Sequence, residues 1–374
     1  MGLLHLLAEL MRIFQNSGIY PNYARRLTDL TKGERRYQGM MDIFRADRYD
    51  ATHLLRGVLD GDSECFLSIG NFSRSQELWA TEHGLSHQQS GDLTEILLAQ
   101  IEEHRTEIFY NLDPTRFDDT FLRRLPGSVR ETVAWIASPS PHMRFSGYGL
   151  VVNNFPNLLK RYAAAGCRTS YFFPSYDPEM RIVARETERP IDIVFVGGFS
   201  RHHLRRATIL ETVARLSASM TVRYYLDLGR FSKLAESPWV EWTGLLERYR
   251  RPDAIRSVAF PPAFGREMHR ILGQSKIVLN AAIDMSGEDR GNIRCFEAMG
   301  CGALLLSDTG NYPGGMVSDE TMVTYRDASH AVTLARQLID NHDARCRIAN
   351  AGHQMLADRY SKTAQWNAFK ALVS

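Results

Sequence analysis

The most informative part of the chain is SKIVLNAAIDMSGEDRGNIRCFEAMGCGALLLSD, residues 275–308. It contains two short apolar runs, KIVLN and ALLLS, of the kind that form buried parallel strands. Between these runs lie a polar loop rich in glycine and charge and a helical pattern that begins near Asn292 and stops at Gly302. A strand, a loop, a helix and a second strand predict one unit of a Rossmann-like sheet.

Similar apolar runs recur on both sides of this stretch and alternate with helical patterns. The predicted strands are residues 65–69, 107–112, 132–137, 148–153 and 170–174 in the first half and 191–196, 221–226, 276–280, 303–307 and 322–325 in the second. Because strands that alternate with helices form parallel sheets, the sequence predicts an α/β protein with two Rossmann-like domains. Ligands of such domains bind at the carboxyl ends of the strands, and we expect both sets of strand ends to face one central cleft.

A polar segment bounded by prolines, residues 174–190, separates the two series of strands and predicts a domain boundary near residue 178. Residues 1–177 then form an N-terminal domain, of which the first 60 residues are mainly helical. Residues 178–374 form a C-terminal domain. The last helix is a candidate for crossing back to the N-terminal domain.

The composition excludes several classes of protein. With 374 residues, 44% of them hydrophobic and 24% charged, the chain can bury a full core and is not a disordered protein. Lys+Arg 45 against Asp+Glu 43 gives a formal net charge of +2, which is too balanced for a nucleic-acid partner. The five cysteines are odd in number and form no C-x-x-C pair, which favours reduced thiols and a cytoplasmic location.

The apolar N-terminus, MGLLHLLAELMRIF, is interrupted by His5, Glu9 and Arg12 well before it reaches the roughly 20 apolar residues of a membrane span. Its apolar residues recur at helical spacing, which predicts an amphipathic helix docked on the protein. Peripheral contact of this helix with a membrane surface stays an open alternative.

The helix that begins near Asn292 predicts an anion site, because the first N–H groups of a helix have no partner within it. Arg290 and Arg294 would add positive charge beside that site. Glu297 lies about one turn into the helix, where its carboxylate could accept hydrogen bonds from two vicinal hydroxyl groups. An alternative role for Glu297 is to stabilise the dipole of its own helix.

A second candidate for phosphate binding is IDIVFVGGFSRHHLRR, residues 191–206. A buried strand that ends in Gly197 and Gly198 and is followed by a helix lets the backbone approach a diphosphate closely. The spacing is not G-x-G-x-x-G, so a simple tight turn at the two glycines is the alternative. Arg201, Arg205 and Arg206 follow the glycines.

The stretch 275–308 resembles the C-terminal domain of GT-B glycosyltransferases of the group-1 superfamily, in particular the CgeB-like, spore-maturation-type branch. The matching residues are Ser275, Lys276, Ile277, Leu279 and Asn280 in the strand and Arg294, Phe296, Glu297, Ala298, Met299 and Gly302 in and after the helix. The resemblance implies a GT-B fold and a nucleotide-diphosphate sugar as the donor substrate, with no further cofactor.

The resemblance also implies roles for individual residues. Glu297 would contact the ribose of the donor, and the loop with Gly197 and Gly198 would lie against the donor phosphates, together with basic residues that follow it. Among these Arg201 is the first candidate, because a solvated helix face is the alternative interpretation of Arg205 and Arg206. In the superfamily a second glutamate, separated by seven residues from the first, faces the transferred sugar. This chain has Asp289 at that position, with Glu288 as the rival candidate.

On the N-terminal side the resemblance is looser and gives only candidates for a catalytic base. Asp113 and His142 follow predicted strands, where a side chain could take a proton from an acceptor hydroxyl. The D-x-D sequence Asp60-Gly61-Asp62 could bind a divalent metal ion. It follows a helical pattern instead of a buried strand, so a turn is the better interpretation, and we expect no catalytic metal.

The sequence thus predicts a cytoplasmic, metal-independent glycosyltransferase that moves a hexose-type sugar to an acceptor hydroxyl with retention of anomeric configuration. The acceptor could be a glycan, a lipid-linked molecule or a protein. Two alternatives remain open at this point: a nucleotide-sugar epimerase of the same fold, and a non-catalytic GT-B-like scaffold or binding protein.

Overall fold

The computed structural model describes residues 11–85, 91–140, 145–200, 203–237, 246, 249–284 and 287–374. The chain divides into two compact units. Unit 1 comprises Met1–Phe173 together with Lys362–Ser374, and unit 2 comprises Pro174–Ser361. Each unit contains one six-stranded parallel sheet, so the predicted α/β fold with two Rossmann-like sheets is confirmed.

The sheet of unit 1 has the strand order β2-β1-β3-β4-β5-β6. Its strands are β1 (Ile13–Ser17), β2 (Cys65–Ile69), β3 (Ile108–Asn111), β4 (Glu131–Trp135), β5 (Leu150–Asn153) and β6 (Thr169–Tyr171). The helices of this unit are α1 (Pro21–Leu30), α2 (Tyr37–Asp47), α3 (Arg56–Asp60), α4 (Ser73–Glu82), α5 (Leu93–Glu103), α6 (Asp119–Leu122), α7 (Pro156–Ala164) and, at the end of the chain, α16 (Lys362–Val373). The order of the strands reverses between β1 and β3, which is where such a sheet binds its ligands.

The sequence did not predict strand β1, because the helical pattern of the N-terminus extends through Phe14. In the structure β1 lies inside the sheet and pairs with both β2 and β3. All five of its residues are buried, yet three of them are polar, so the strand lacks a long apolar run. The polar side chains hold neighbouring segments: Gln15 Nε2 donates to His53 O at 3.1 Å, and Asn16 Nδ2 donates to Asn111 Oδ1 at 2.8 Å.

The sheet of unit 2 has the strand order β12-β11-β10-β7-β8-β9. Its strands are β7 (Ile191–Gly198), β8 (Val222–Asp227), β9 (Ala259–Phe260), β10 (Ser275–Leu279), β11 (Leu304–Asp308) and β12 (Val323–Tyr325). The helices are α8 (Met180–Ala184), α9 (Leu204–Ala214) with a 3-10 turn (Arg215–Ala218), α10 (Arg230–Ala235), α11 (Asp253–Arg256), α12 (Gly265–Gly273), α13 (Ile293–Gly300), α14 (Ala328–Asp340) and α15 (His342–Arg359). Counted within the unit, this is the Rossmann order 3-2-1-4-5-6.

The middle of the unit 2 sheet is the pair β7 and β10. The chain leaves β7 toward β8 and leaves β10 toward β11, so its connections diverge between these two strands. Such a divergence opens a crevice at the carboxyl ends of the strands. The segments that follow β7 and β10 are the two that the sequence analysis singles out.

Helix α13 begins directly after Asn292 and ends at Gly300, close to the predicted bounds. Gly302 follows with φ +71°, a left-handed conformation that favours glycine. The residues of α13 from Cys295 onward are all buried, and α15 packs against them. At Gly352, α15 also approaches the segment that precedes β12, and a Cβ there would lie 2.3 Å from the carbonyl oxygen of Thr321.

We expect the substitution Gly352→Ala to destabilise the protein. Replacing glycine by alanine inside a helix ordinarily stabilises it by roughly 1 kcal/mol. Here the added methyl group collides with a backbone oxygen that cannot rotate away, so α15 has to shift from the segment that precedes β12. The test is the urea midpoint of unfolding. The matched control is Gly39→Ala in α2, whose added methyl meets only the flexible carboxylate of Glu34, and an equal response of both variants would contradict the prediction.

Candidate active site

Arg206, which has no charged partner among the described residues, lies beside the end of β7. The guanidinium carbon of Arg206 is 5.2 Å from the centre of the Phe195 ring. Within the described residues no hydrogen bond or ion pair involves this guanidinium, and its Nε is buried without an acceptor. Burial lowers the pKa of Arg206, yet a guanidinium stays protonated at any physiological pH. A partly buried cation with unused donors is suited to bind an anion.

Strand β7 ends in Gly197 and Gly198, as the sequence indicates. The alternative of a tight turn at these residues is wrong, because both pair with Leu226 and Asp227 of β8. Neither glycine has a positive φ. Gly197 leaves room for a neighbouring side chain instead, since a Cβ at this position would make a tight contact of 3.2 Å with Nη2 of Arg206.

Helix α13 carries an ion pair whose acidic partner is buried. Arg294 Nη1 donates to Glu297 Oε2 at 2.5 Å, and Arg294 Nε donates to the carbonyl oxygen of Val196 at 3.2 Å. The second bond joins α13 to the end of β7. Among the described residues Arg294 is the only hydrogen-bond partner of Glu297, so the second carboxylate oxygen is available to a ligand. Glu297 lies beyond the first turn of α13, where a helix dipole has little effect.

The buried position of Glu297 changes its acidity. The side chain is 5% exposed, and burial raises the pKa of Glu297 despite the adjacent guanidinium of Arg294, which lowers it. Holding this carboxylate ionised therefore costs folding free energy. A ligand with two hydroxyl groups would replace the hydrogen bonds that burial removes.

Asn292 immediately precedes α13, but its side chain does not cap the helix. Its Nδ2 donates to Asn280 Oδ1 at 3.1 Å, and Asn280 Nδ2 donates to Ser307 Oγ at 2.9 Å. These bonds tie the start of α13 to the carboxyl ends of β10 and β11. The first N–H groups of α13 are thereby held at the crevice next to β7.

The loop that carries the two candidate acids is fixed by the loop after β11. Arg290 N donates to Asn311 O, and Asn311 N donates to Glu288 O, both at 2.8 Å. Asp289 lies between these bonds and is buried, whereas Glu288 is exposed. The structure thus distinguishes the two candidates by burial, and the role of either in contacting a sugar stays a prediction.

Arg290 does not provide the free positive charge that the sequence analysis expects. Its Nε lies 2.6 Å from Asp308 Oδ2, and both side chains are at least 94% buried. Asp308 Oδ1 also accepts a hydrogen bond from Ala282 N at 3.1 Å, so this one carboxylate holds both ends of the loop between residues 282 and 290. The sequence analysis did not single out Asp308, although a polar residue after the apolar run ALLLS was the available signal.

In unit 1, Asp113 follows the carboxyl end of β3. Its carboxylate lies 3.5 Å from Nε of Arg116 and accepts a 3.3 Å hydrogen bond from Thr115. Burial nevertheless raises the pKa of Asp113. A Cβ at Gly18 would lie 2.9 Å from Cβ of Asp113, so only glycine leaves room for this side chain. Asp113 therefore stays a candidate base, with an acidity that burial weakens.

Three candidates from the sequence remain: Arg201, His142 and the D-x-D sequence. Arg201 and His142 lie outside the described residues. The D-x-D sequence forms a turn: Asp60 pairs with Arg56 at 3.2 Å, and Asp62 accepts a hydrogen bond from the backbone N–H of Glu64. Both carboxylates of this motif thus interact with residues at most four positions away in the sequence.

The comparison with protein families identifies the domain that contains this site. Residues 205–371 match a family model described as glycosyl transferase-like. This part of the chain is similar to glycosyl transferase-like domains. The match begins next to Arg206 and includes α13, which confirms the predicted class of enzyme; membership of the CgeB-like branch stays a prediction. No curated protein sequence matches the chain.

Solved structures show the same fold. The crystal structure of Anabaena HepE in complex with UDP and glucose has a TM-score of 0.56 at 13% identity, covering 97% of this chain and 100% of that one. A glycosyltransferase from Rickettsia africae has a TM-score of 0.55 at 10% identity, covering 97% of both chains. TarM has a TM-score of 0.52 at 10% identity over 76% of this chain and 58% of its own. The fold is that of GT-B glycosyltransferases.

Within the described residues, no helix has both the length and the apolar character needed to cross a membrane. The N-terminal residues on which the sequence analysis based a surface helix, 1–10, are outside this description, and those from Ile13 to Ser17 form β1.

We expect Glu297 to make folding stability depend on pH. Because its pKa is raised in the folded state, the folded protein binds the proton more tightly than the unfolded chain does. The stabilisation is therefore present at acidic pH and is lost as the pH rises from the usual glutamate pKa through the raised one. As the pH rises from acid to neutral, the melting temperature of the native protein should fall relative to that of Glu297→Gln. Parallel curves would contradict the prediction.

Proposed function

We propose that this chain transfers a sugar from a nucleoside diphosphate sugar to an acceptor hydroxyl, and that unit 2 binds the donor at the carboxyl ends of β7 and β10. The observation that carries the proposal is the guanidinium of Arg206, which has no hydrogen-bond or ion-pair partner among the described residues and lies in the part of the chain that matches the glycosyl transferase-like model. In that described part, Arg290 is paired with Asp308 and Arg294 with Glu297, which leaves Arg206 for an anion. A diphosphate supplies that charge.

The backbone supports the same assignment. The N–H groups at the start of α13 favour an anion through the helix dipole, and they lie near β7 because Arg294 bonds to Val196. The absence of a side chain at Gly197 and Gly198 lets phosphate oxygens approach the end of the strand. We assign the diphosphate to this group of donors.

The nucleoside would lie toward Glu297. Its carboxylate accepts hydrogen bonds only, and two adjacent ribose hydroxyls are matching donors. HepE of Anabaena has been crystallised with UDP-glucose, so UDP and UDP-glucose are the first probes for this chain. Asp289, fixed in the loop beside Asn311, is our candidate for contact with the transferred sugar.

In the proposed reaction, the bond between the anomeric carbon and the diphosphate oxygen breaks while the acceptor oxygen bonds to the anomeric carbon from the same face. The acceptor proton passes to the leaving diphosphate oxygen. Because the acceptor attacks from the same face, the anomeric configuration is retained. Negative charge grows on the diphosphate as the bond breaks. Arg206 and the α13 N–H groups stabilise this charge, the role that a metal ion has in metal-dependent transferases.

The test of the donor site is the affinity for UDP. We expect Arg206→Met to weaken UDP binding by roughly tenfold or more, because a charge-assisted hydrogen bond contributes about 1.5–3 kcal/mol. The same substitution should not lower the melting temperature of the free protein, since the guanidinium forms no hydrogen bond or ion pair with the described residues. Isothermal calorimetry and thermal melts measure both effects.

The matched control for this experiment is Arg205→Met. Arg205 is the neighbouring residue of α9, but its guanidinium donates to the backbone oxygen of Arg326 at 3.1 Å and is exposed. UDP affinity should stay at the native level in this variant. Equal losses in both variants would show a general effect of charge and would contradict the assignment of Arg206.

We further expect UDP to bind equally well in excess EDTA and in manganese chloride. The proposed site neutralises the diphosphate with Arg206 and backbone N–H groups and has no need of a metal bridge. Calorimetric titrations under the two conditions are the measurement. An affinity that collapses in EDTA and recovers on addition of manganese would overturn the metal-independent form of the proposal.

A further inference from the structure

The guanidinium of Arg290 lies at the centre of a tightly turned segment of unit 2, residues 287–291. Its Nη1 donates to the carbonyl oxygen of Gly287 at 2.7 Å and to that of Asp289 at 3.0 Å. Gly287 and Gly291 adopt left-handed conformations, with φ of +61° and +94°, which let the backbone turn around this group. The Arg290 side chain is only 6% exposed. The segment is therefore folded around a buried cation of its own.

Asp308, the last residue of β11, holds this cation in place. Its Oδ2 lies 2.6 Å from Nε of Arg290, and its Oδ1 accepts a hydrogen bond from Ala282 N at 3.1 Å. The Asp308 side chain is as buried as that of Arg290. One carboxylate thus joins the end of β11 both to the residues that follow β10 and to the segment that precedes α13.

The residues after Asp308 fit the same segment in two further ways. Arg290 N donates to Asn311 O, and Asn311 N donates to Glu288 O, both at 2.8 Å. At Gly310 a Cβ would lie 2.6 Å from the carbonyl oxygen of Glu288 and 2.6 Å from Cγ of Arg290. A side chain at this position would therefore push the segment 287–291 away from β11.

The segment carries the two acids that are candidates for contact with the transferred sugar, Glu288 and Asp289. The carbonyl group of Asp289 bonds to Arg290, so the place of Asp289 depends on where Asp308 holds that guanidinium. A sugar is recognised by a few directed hydrogen bonds, and a displacement of about 1 Å in a group that forms them is costly. The position of this segment therefore matters for the sugar.

The groups proposed to bind the UDP part of the donor are held differently. Among the described residues, Asp308 forms no hydrogen bond or ion pair with Arg206, Arg294 or Glu297. The start of α13 is tied instead through Asn292 to Asn280. Support of the sugar contact and support of the UDP contacts are thus separate in this crevice.

We propose that Asp308 is a positioning residue for the sugar part of the donor: it acts through Arg290 on residues 287–291 and determines how sharply the site selects one sugar over another. Asp308 itself does not touch the donor. The inference rests on the proposed function, because it takes a nucleoside diphosphate sugar as the donor and this crevice as its site.

The first test compares the native protein with Asp308→Asn, which keeps the size of the side chain and removes its charge. Isothermal calorimetry gives the affinities for UDP, UDP-glucose, UDP-galactose and UDP-N-acetylglucosamine. In the native protein we expect the three UDP-sugars to differ by roughly tenfold, and in the variant by about twofold or less. UDP itself should bind as in the native protein or more tightly, because the negative charge of Asp308 acts on Arg206 and is lost in the variant.

The matched control is Asp192→Asn, because Asp192 has the same two kinds of partner at the opposite end of the sheet. Its Oδ1 accepts from Nζ of Lys276 at 2.6 Å, and its Oδ2 accepts from Thr221 N at 2.8 Å. Asp192 and Lys276 are the second residues of β7 and β10, at the amino ends of these strands. Both variants should melt lower than the native protein, but Asp192→Asn should select sugars as the native protein does. Equal selectivity in the two variants overturns the proposal.

A second variant, Gly310→Ala, keeps every charge and displaces the segment directly. We expect it to lose sugar selectivity as Asp308→Asn does and to keep the native affinity for UDP. Its control is Gly314→Ala in the same loop, where the added methyl group would lie 3.6 Å from Nη1 of Arg359, an ordinary contact. Native selectivity in Gly310→Ala overturns the proposal, even where Asp308→Asn fails to fold.

UDP binding separates this inference from the proposed function. A native protein that binds UDP but binds the three UDP-sugars equally well contradicts only the positioning role of Asp308, since there is then no selective sugar contact to position. A native protein that does not bind UDP contradicts the proposed function, and the inference is overturned with it.

Discussion

The parallel pairing of β7 with β10 is the constraint on which the rest of unit 2 depends. Ile193 lies opposite Ile277, and this register brings the end of one strand beside the helix that follows the other. The hydrogen bond from Arg294 to Val196 spans 98 residues of sequence and is possible only in this arrangement. A shift of one residue would turn every side chain of β10 to the opposite face and would separate the two segments.

The crevice built on this pairing contains charges that are almost all satisfied within the protein. The ion pairs of Arg290 and Arg294 are buried, and removing one partner from such a pair costs about 3–5 kcal/mol. These two ion pairs fix the loop that carries Arg290 and the start of helix α13 without the help of a ligand. Arg206 rests on the Phe195 ring instead of a carboxylate, and the charges of Arg294 and Asp308 both act on it. Preorganised groups of this kind lose little freedom on binding, which favours affinity.

The fold was predictable from the sequence wherever strands are apolar and flanked by glycine or helical patterns, as in β10, α13 and β11. Strand β1 was not predictable, because Gln15, Asn16 and Ser17 stand where an interior strand usually has apolar residues. Gln15 and Asn16 form hydrogen bonds with neighbouring segments instead. Strand β9 was missed because two residues carry no periodicity. Local composition indicated an arginine-rich anion site, which stays a prediction, and the partner of each arginine depends on tertiary geometry. Which arginine stays unpaired could only be seen once Asp308 and Glu297 were in place.

Helix α16 has a consequence for how the chain is made. It belongs to unit 1, although all of unit 2 precedes it in the sequence. Gln365 bonds to Phe173 O at 3.1 Å, and the Phe369 ring lies 5.0 Å from that of Tyr110. Domains generally fold from the N-terminus onward during synthesis. Unit 1, however, cannot complete its fold until this helix has left the ribosome. The second unit is continuous and precedes this helix in the sequence, so it can complete its fold before the first unit does.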